Sequence, residues 1–315
     1  MGKTVVSRCR DPRWNLALEE YLMEREENLL YLWRNEPSVI IGRNQNPYAE
    51  CSPSLLQQRG IHLVRRKSGG GAVYHDPGNL NITLVSPSTQ DAPEKNFLFL
   101  RQTLEDLGIS AQVSGRNDLE VQGKKVSGSA FYESDGRLCH HCTMLVSTDF
   151  SAMGDCLTPS RLKLASRGID SVRSRVGNLS EFRQDLTVEM LASALIRRAG
   201  GECRYLSPEQ LAEIPEITKK AERYGSFSWN FGESPGADLR FEGKFPWGLV
   251  TVELAAAGGK IKSCRIYTDS LQTEGFEDLA SRLEGTALEK NALAAVLLNG
   301  TDPTRGKDLL SLIEI

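Results

Sequence analysis

The chain has 315 residues, a formal net charge of −3, and 40% hydrophobic and 25% charged residues. That composition supports a folded core and one or two domains, and it excludes nucleic-acid binding driven by overall charge. No apolar run approaches the ~20 residues that cross a bilayer.

The start, MGKTVVSRCRDPRWN, lacks the apolar centre of a secretory signal, and Val6 stands where a myristoylation pattern needs Ser or Thr. Seven scattered cysteines point to a reduced, cytoplasmic protein without a disulfide framework.

From Trp14 to Glu26 the apolar residues fall at helical spacing. LLYLW and SVIIG follow as short buried strands. Ser52 and Pro53 open a helix that Gly60 closes. IHLVRR reads as a strand, the glycines after it as a tight loop, AVYH as a strand, DPGN as a turn and LNITLV as the returning strand. Phe97 to Leu107 reads as a helix ended by Gly108. DLEV, KVSGSAFYE and LCHHCTMLVS then form strands joined at QGK and SDGR.

Beyond Asp149 the pattern turns mainly helical, with a capping box at Ser207 and Gln210 around Pro208. Around WNFGESPGADLRF the composition shifts toward Gly, Pro and Ser. GLVTVELAAAGGKIKSCRIYTDS then reads as a hairpin turning at Gly258 and Gly259, with two or three helical stretches behind it. This order predicts an α+β fold with a mixed or antiparallel sheet, divided into residues 1–232 and a small α+β unit at 238–315.

Three segments carry candidate chemistry. In RRKSGGGAVYH, three consecutive glycines let the backbone approach a ligand, and their N–H groups can form an anion nest beside Arg65, Arg66 and Lys67. The combination suits a phosphate or carboxylate; the bland alternative is a flexible loop with solvated charges. The loop leads into a strand, so it fits neither the dinucleotide nor the Walker fingerprint. In GRNDLEVQGKKVSGSA, Arg116, Asn117 and Asp118 open a strand. A period of two places Lys125, Ser127 and Ser129 on one face, with room left by small residues; the alternative is a hairpin with an exposed lysine turn.

In CHHC, Cys139 to Cys142, neighbouring side chains point to opposite faces of a strand and no second ligand pair follows, so the cluster reads as structural and no metal is expected from it. No G-x-S-x-G elbow supports a serine hydrolase. Arg173 and Arg175 near Asn178 read as a basic loop.

In order along the chain, RRKSGGGAVYHD, GRNDL, GKKVSGSA, HHCTML and GIDSVRSRVGNLSE closely resemble the lipoate–protein ligase family, within the biotin/lipoate ligase superfamily. RWNLALEEYL, LWRNEPSVIIGRNQNPYAEC and SWNFGESP fit the same pattern, so the resemblance covers nearly the whole chain. It implies a large α+β catalytic domain with a small C-terminal accessory domain. It also implies an ATP-dependent activation of lipoate to lipoyl-AMP, with Mg2+ balancing the phosphates. The lipoyl group would then pass to a lysine on acceptor domains of 2-oxoacid dehydrogenase complexes and glycine cleavage H protein, carried out by a monomer.

Carried over position by position, Arg66 matches the ligand-binding arginine, and Gly71, Ala72, Val73 and Tyr74 match nucleotide-binding residues. Lys125, directly before VSG, matches the invariant lysine that contacts the lipoyl carbonyl and the phosphate. Ser68, Gly69, Gly70 and His75 belong to the same binding loop. Asp118 is a further candidate, for positioning the incoming amine or an ion. The glycines are expected to serve ligand approach and not folding.

One departure stands out: Cys142 follows the His pair where bacterial ligases commonly have Gly, as in animal lipoyltransferases that use preformed lipoyl-AMP. The alternatives are therefore such a transferase, an octanoyl or lipoyl transferase using a cysteine by thioester exchange, and a non-catalytic lipoate-binding regulator.

Overall fold

A computed structural model describes residues 2–115, 117–157, 176–231, 239–257, 260–272 and 274–313. Its strands are β1 (Lys3–Ser7), β2 (Leu29–Trp33), β3 (Ser38–Ile41), β4 (His62–Arg65), β5 (Val73–His75), β6 (Asn79–Pro87), β7 (Gln112–Ser114), β8 (Asp118–Val121), β9 (Lys124–Ser134), β10 (Arg137–Leu145), β11 (Glu202–Leu206), β12 (Leu239–Phe245), β13 (Gly248–Ala257) and β14 (Lys260–Thr268).

The central sheet runs β11-β1-β2-β6-β10-β9-β8-β7. β11, β1 and β2 are parallel, and the remaining pairs are antiparallel. The α+β class with a mixed sheet is thus present.

Both faces of this sheet are covered, which is why LLYLW shows no polar alternation: all of β2 is buried. On one face Leu30, Ile82, Leu84, Cys142 and Met144 pack under the helices Ala92–Asp106 and Val188–Ala199. On the other, Tyr31, Trp33, Tyr132 and Cys139 meet the helices Pro12–Met23 and Pro215–Gly225 and the small sheet β4-β3-β5. That small sheet carries the glycine loop between β4 and β5, so the loop is laid directly onto the second face. The CHHC side chains alternate accordingly, with Cys139 in one core and Cys142 in the other.

Two helices differ in extent from the sequence reading. Pro12–Met23 is capped by the Asp11 side chain and stops before Glu24, Arg25 and Glu26, which have no apolar face to bury. Ala92–Asp106 starts earlier than Phe97 because Pro93 suits its first turn. The capping box at Ser207 and Gln210 forms as read.

β12, β13 and β14 form an antiparallel sheet with its own core, against the helices Phe276–Leu283, Lys290–Gly300 and Pro303–Leu312. β12 begins inside the stretch read as a boundary. The boundary residues 232–238 and the hairpin tip Gly258-Gly259 lie outside the described residues.

Glu20 locks two helices together. Its buried carboxylate meets Lys220 at 2.8 Å, the Tyr224 hydroxyl at 2.9 Å, Lys67 at 3.5 Å, and Arg223. Burial works to raise the carboxyl, but Lys220, Lys67 and Arg223 outweigh it and hold it at about 2, below the ordinary 4.5. A depressed carboxylate stabilises the fold above its unfolded value and loses that contribution as pH falls from 4.5 toward about 2. The chain should therefore lose on the order of 3 kcal/mol of stability over that window through this group. Urea unfolding at neutral and acid pH measures the loss, and Glu20→Gln should flatten it.

Candidate active site

The cations before the glycines face different ways. Arg65 is buried and spends its guanidinium on backbone carbonyls of Trp229, Gly42, Arg43, Gln45 and Asn230, at 2.7–3.1 Å. It fastens the SWN segment to β4 and is not available to a ligand. Lys67 reaches the surface side, toward Glu20 and the Tyr132 ring.

Arg66 turns inward beneath the loop. Nε donates to Ser68 Oγ at 2.9 Å, Nη1 to Ile40 O at 3.1 Å, and Nη2 to Gly69 O at 2.6 Å and Gly71 O at 2.9 Å. Burial pushes this guanidinium down to about 10, while the Glu19 and Glu50 charges pull it back up.

The glycines turn out to be required by the fold itself, which corrects the expectation drawn from the sequence. Gly70 has φ +90°, a region that L side chains rarely adopt, and a Cβ there would stand 2.9 Å from Arg66 Nη2. A Cβ on Gly69 would come within 2.0 Å of Ser270 O. The C-terminal unit rests on the loop at this point: Gly70 N donates to Ser270 O at 2.7 Å, and Arg43 pairs with Glu277 at 2.8 Å.

Downstream, Ala72 and Tyr74 pack against a small cluster with Val39, Ile41 and Leu56, and burial pushes the Tyr74 hydroxyl up to about 12. His75 is buried; its Nδ1 takes a hydrogen from Asn35 at 3.0 Å. Burial, then Arg66 and His141, drive it down to about 3, so it is neutral at physiological pH.

Lys125 lies on the same sheet face as the loop. Its Nζ pairs with Asp118 Oδ1 at 2.7 Å and runs over Gly128, where a Cβ would stand 3.1 Å away. The glycine loop lies over the next same-face position of β9, since a Cβ on Gly70 would be 3.8 Å from Ala130 Cβ.

Ser127 and Ser129 do not share this face. The β8–β9 register pairs Leu119 with Ser127 but Glu120 with Lys125, a bulge that takes Val126 out of step and reverses the parity. Ser129 stands opposite Cys142, in the core beyond the sheet. Lys124 points away and pairs with Glu181 at 2.7 Å on the surface. Arg116, Arg173 and Arg175 lie outside the described residues.

Residues not singled out from the sequence complete the floor of the site. Ser68 Oγ is 2.6 Å from His141 Nε2, and His141 Nδ1 is 3.0 Å from Glu19. Thr83 donates to Glu19 at 2.6 Å, and Trp33 donates to Thr83 at 3.0 Å. The readable signal was the pair Glu19-Glu20 inside a helix with an apolar face, where both acids are buried.

Glu19, Cys139 and His141 bring their donor atoms within 4.8 Å of one another, so half of CHHC does converge with a third group. The surroundings are cationic, with Arg66 and Lys67 close by, and His141 already spends both nitrogens on Ser68 and Glu19. That donor set suits hydrogen bonding better than a cation. Burial also raises the Cys139 thiol well above its ordinary value and Cys142 to about 12, leaving neither poised as a thiolate.

Two cavities lie between the units. One of about 590 Å³ is lined by Arg43, Arg65, Trp229, Tyr267 and Glu277 among others, and one of about 410 Å³ by Lys67, Tyr132 and Glu274 among others. Neither is lined by the loop glycines or Lys125; Ser270 and Leu271 lie against Gly69 and Gly70. Gly70→Ala should cost about 1–2 kcal/mol in urea unfolding, from the left-handed backbone it forces on a side chain; parent-like stability would contradict this account of the loop.

Residues 11–200 match the lipoyl protein ligase A/B catalytic domain, and residues 234–311 match the bacterial lipoate protein ligase C-terminus. Lipoate-protein ligase A of Psychrobacter cryohalolentis is 37% identical over 303 residues, 92% of this chain and 89% of that protein. LipL1 of P. falciparum, in complex with lipoate, superposes with a TM-score of 0.86 at 28% identity, covering 99% of each chain. A lipoate-protein ligase A bound with ATP gives a TM-score of 0.62 at 27% identity, over 73% of this chain and 98% of that one. The bipartite ligase of Thermoplasma acidophilum gives 0.64 at 27% identity, over 76% and 99%. With both family domains matched in order and a relative alike along nearly its whole length, the chain belongs to the lipoate–protein ligase family.

Proposed function

We propose that this chain activates free lipoate with ATP and passes the lipoyl group to the ε-amine of a lysine on a lipoyl-acceptor domain. The observation that carries this reading is the placement of Lys125 and the glycine loop over neighbouring positions of one strand face, with Lys124 turned to the surface. A bent lipoyl-AMP laid across the loop meets peptide N–H groups at one end and the Lys125 ammonium near the mixed anhydride.

In the first step the lipoate carboxylate attacks the α-phosphorus and pyrophosphate leaves. In the second the acceptor amine attacks the lipoyl carbonyl, AMP leaves, and an amide forms. Negative charge grows on the phosphate or carbonyl oxygen in each step, and a fixed ammonium in a partly enclosed site stabilises it.

Arg66 holds the loop from below, and its guanidinium is the group that orients the adenylate together with Lys125. Ser68, Gly69, Gly70, Gly71, Ala72, Val73, Tyr74 and His75 form the surface on which the adenylate lies. Asp118 holds Lys125 in the ligand-free state and is freed to accept from the incoming amine once Lys125 turns to the phosphate. Mg2+ would neutralise the ATP phosphates; Asp118 is a carboxylate beside the site, and one protein carboxylate with substrate phosphates is a usual Mg2+ environment.

Two features weigh against the alternatives. Cys142, the position shared with animal lipoyltransferases, is packed in the core on the face away from Lys125, so it removes no group from the site. Both cysteines of CHHC are buried with raised thiols, which disfavours thioester exchange through them.

The same proposal includes acceptor domains of 2-oxoacid dehydrogenase complexes and the glycine cleavage H protein, a cytoplasmic monomer, and a division into a catalytic domain at 1–232 and an accessory domain at 238–315. The lipoyl domain that accompanies the Thermoplasma ligase supports such acceptors.

Lipoate-dependent ATP–pyrophosphate exchange without acceptor should be observed; its absence, with transfer from supplied lipoyl-AMP intact, would replace this reading with a transferase. Lys125→Ala should lower both half-reactions by ~10²–10³, while Lys124→Ala has a small effect. Near-parent rates for Lys125→Ala in both assays would misplace the active site.

A further inference from the structure

A single buried chain of hydrogen bonds links the glycine loop to the helix Pro12–Met23. Arg66 Nε donates to Ser68 Oγ at 2.9 Å, Ser68 Oγ lies 2.6 Å from His141 Nε2, and His141 Nδ1 lies 3.0 and 3.1 Å from the two Glu19 oxygens. All four residues are buried, none more than 8% exposed.

The two ends set the direction. Arg66 can only donate, and the Glu19 carboxylate, which also takes the Thr83 hydroxyl hydrogen, can only accept. For a neutral His141 these ends leave one arrangement: its proton sits on Nδ1, its Nε2 takes the Ser68 hydroxyl hydrogen, and a lone pair of Ser68 takes the Arg66 Nε hydrogen. Such a chain is expensive to bury where an apolar core would fold as well, so its placement under the loop asks for a reason.

The reason lies in peptide geometry. Arg66 Nη2 holds the carbonyls of Gly69 and Gly71. In a trans peptide the N–H of the next residue points opposite to the carbonyl. Pinning those two carbonyls onto Arg66 therefore aims the N–H groups of Gly70 and Ala72 outward, away from the guanidinium. Gly70 N–H does point to an acceptor outside the loop, the Ser270 carbonyl at 2.7 Å.

We propose that Glu19 and His141 are positioning residues: acting through Ser68, they fix the rotation of the Arg66 guanidinium and so aim the loop's N–H groups at the phosphate of the adenylate. This rests on the reading that the loop cradles lipoyl-AMP.

The test uses the full chain and a non-hydrolysable sulfamoyl analogue of lipoyl-AMP, with ¹⁵N-histidine NMR on the ligand-free protein. His141 should be protonated on Nδ1 in the parent and should lose that fixed tautomer in Glu19→Gln. Glu19→Gln and Ser68→Ala should each weaken analogue binding roughly tenfold, and the double variant should be little worse than either, because the residues act as one unit. His141→Gln, which keeps one donor and one acceptor, should bind better than His141→Leu. If Glu19→Gln does not fold, Ser68→Ala reads the same chain from the loop side. Tight binding by the parent with unchanged binding in Glu19→Gln and Ser68→Ala, or an Nε2-protonated His141 in the parent, overturns this inference alone. No binding by the parent overturns the adenylate reading as well.

Discussion

A guanidinium without solvent around it must be given acceptors and a counter-charge, and the arrangement around Arg66 follows from that need. Three of its hydrogen bonds end on carbonyls of Ile40, Gly69 and Gly71 and a fourth on Ser68. A loop that turns two of its carbonyls inward needs backbone freedom that Gly70 supplies at φ +90°. Gly42 has to be glycine for a steric reason instead, since a Cβ there would stand 2.1 Å from Gly70 O. Glu19 supplies the charge from the neighbouring helix, and His141 and Ser68 carry its influence to the loop. Glycine richness and positive charge in this motif are thus two halves of one requirement: the arginine shapes the loop from inside, and the loop keeps its N–H groups for the outside.

The second constraint is parity. A strand offers each side chain one of two faces, and the bulge at Val126 decides which one Lys125 takes. Without it, Lys125 would join Ser127 and Ser129 toward the core beneath the helix Ala92–Asp106. With it, the ammonium stands over Gly128, whose missing side chain leaves the space it fills. Asp118 holds the lysine there at 2.7 Å, so the ammonium is kept in place without being buried.

Much of this was legible in the sequence. The loop, the strands around it, the alternation within CHHC and the C-terminal hairpin all follow from short-range rules of turn chemistry and periodicity, whereas the choice of Lys125 over Lys124 rested on the family resemblance. What escaped depends on contacts between distant segments. A bulge is set by the partner strand, so simple alternation put Lys125 with the wrong neighbours. Glu19 reads as one acid in an amphipathic helix until His141 and Thr83 are folded against it. The close contacts that exclude a side chain at Gly69 and Gly70 come from Ser270 and Arg66, one distant in the chain and the other read as a ligand contact. β12 was hidden because LRFEGKF alternates on a half-exposed edge inside a Gly- and Pro-rich region.

The central claim is that the adenylate lies on the glycine loop within reach of Lys125. A crystal structure with the sulfamoyl analogue of lipoyl-AMP tests it most directly. The account predicts that Lys125 Nζ leaves Asp118 to contact the sulfamate or the lipoyl carbonyl, and that Gly70 N–H exchanges the Ser270 carbonyl for a ligand oxygen. An analogue bound elsewhere, with the Lys125–Asp118 pair and the Gly70–Ser270 bond both intact, would contradict it.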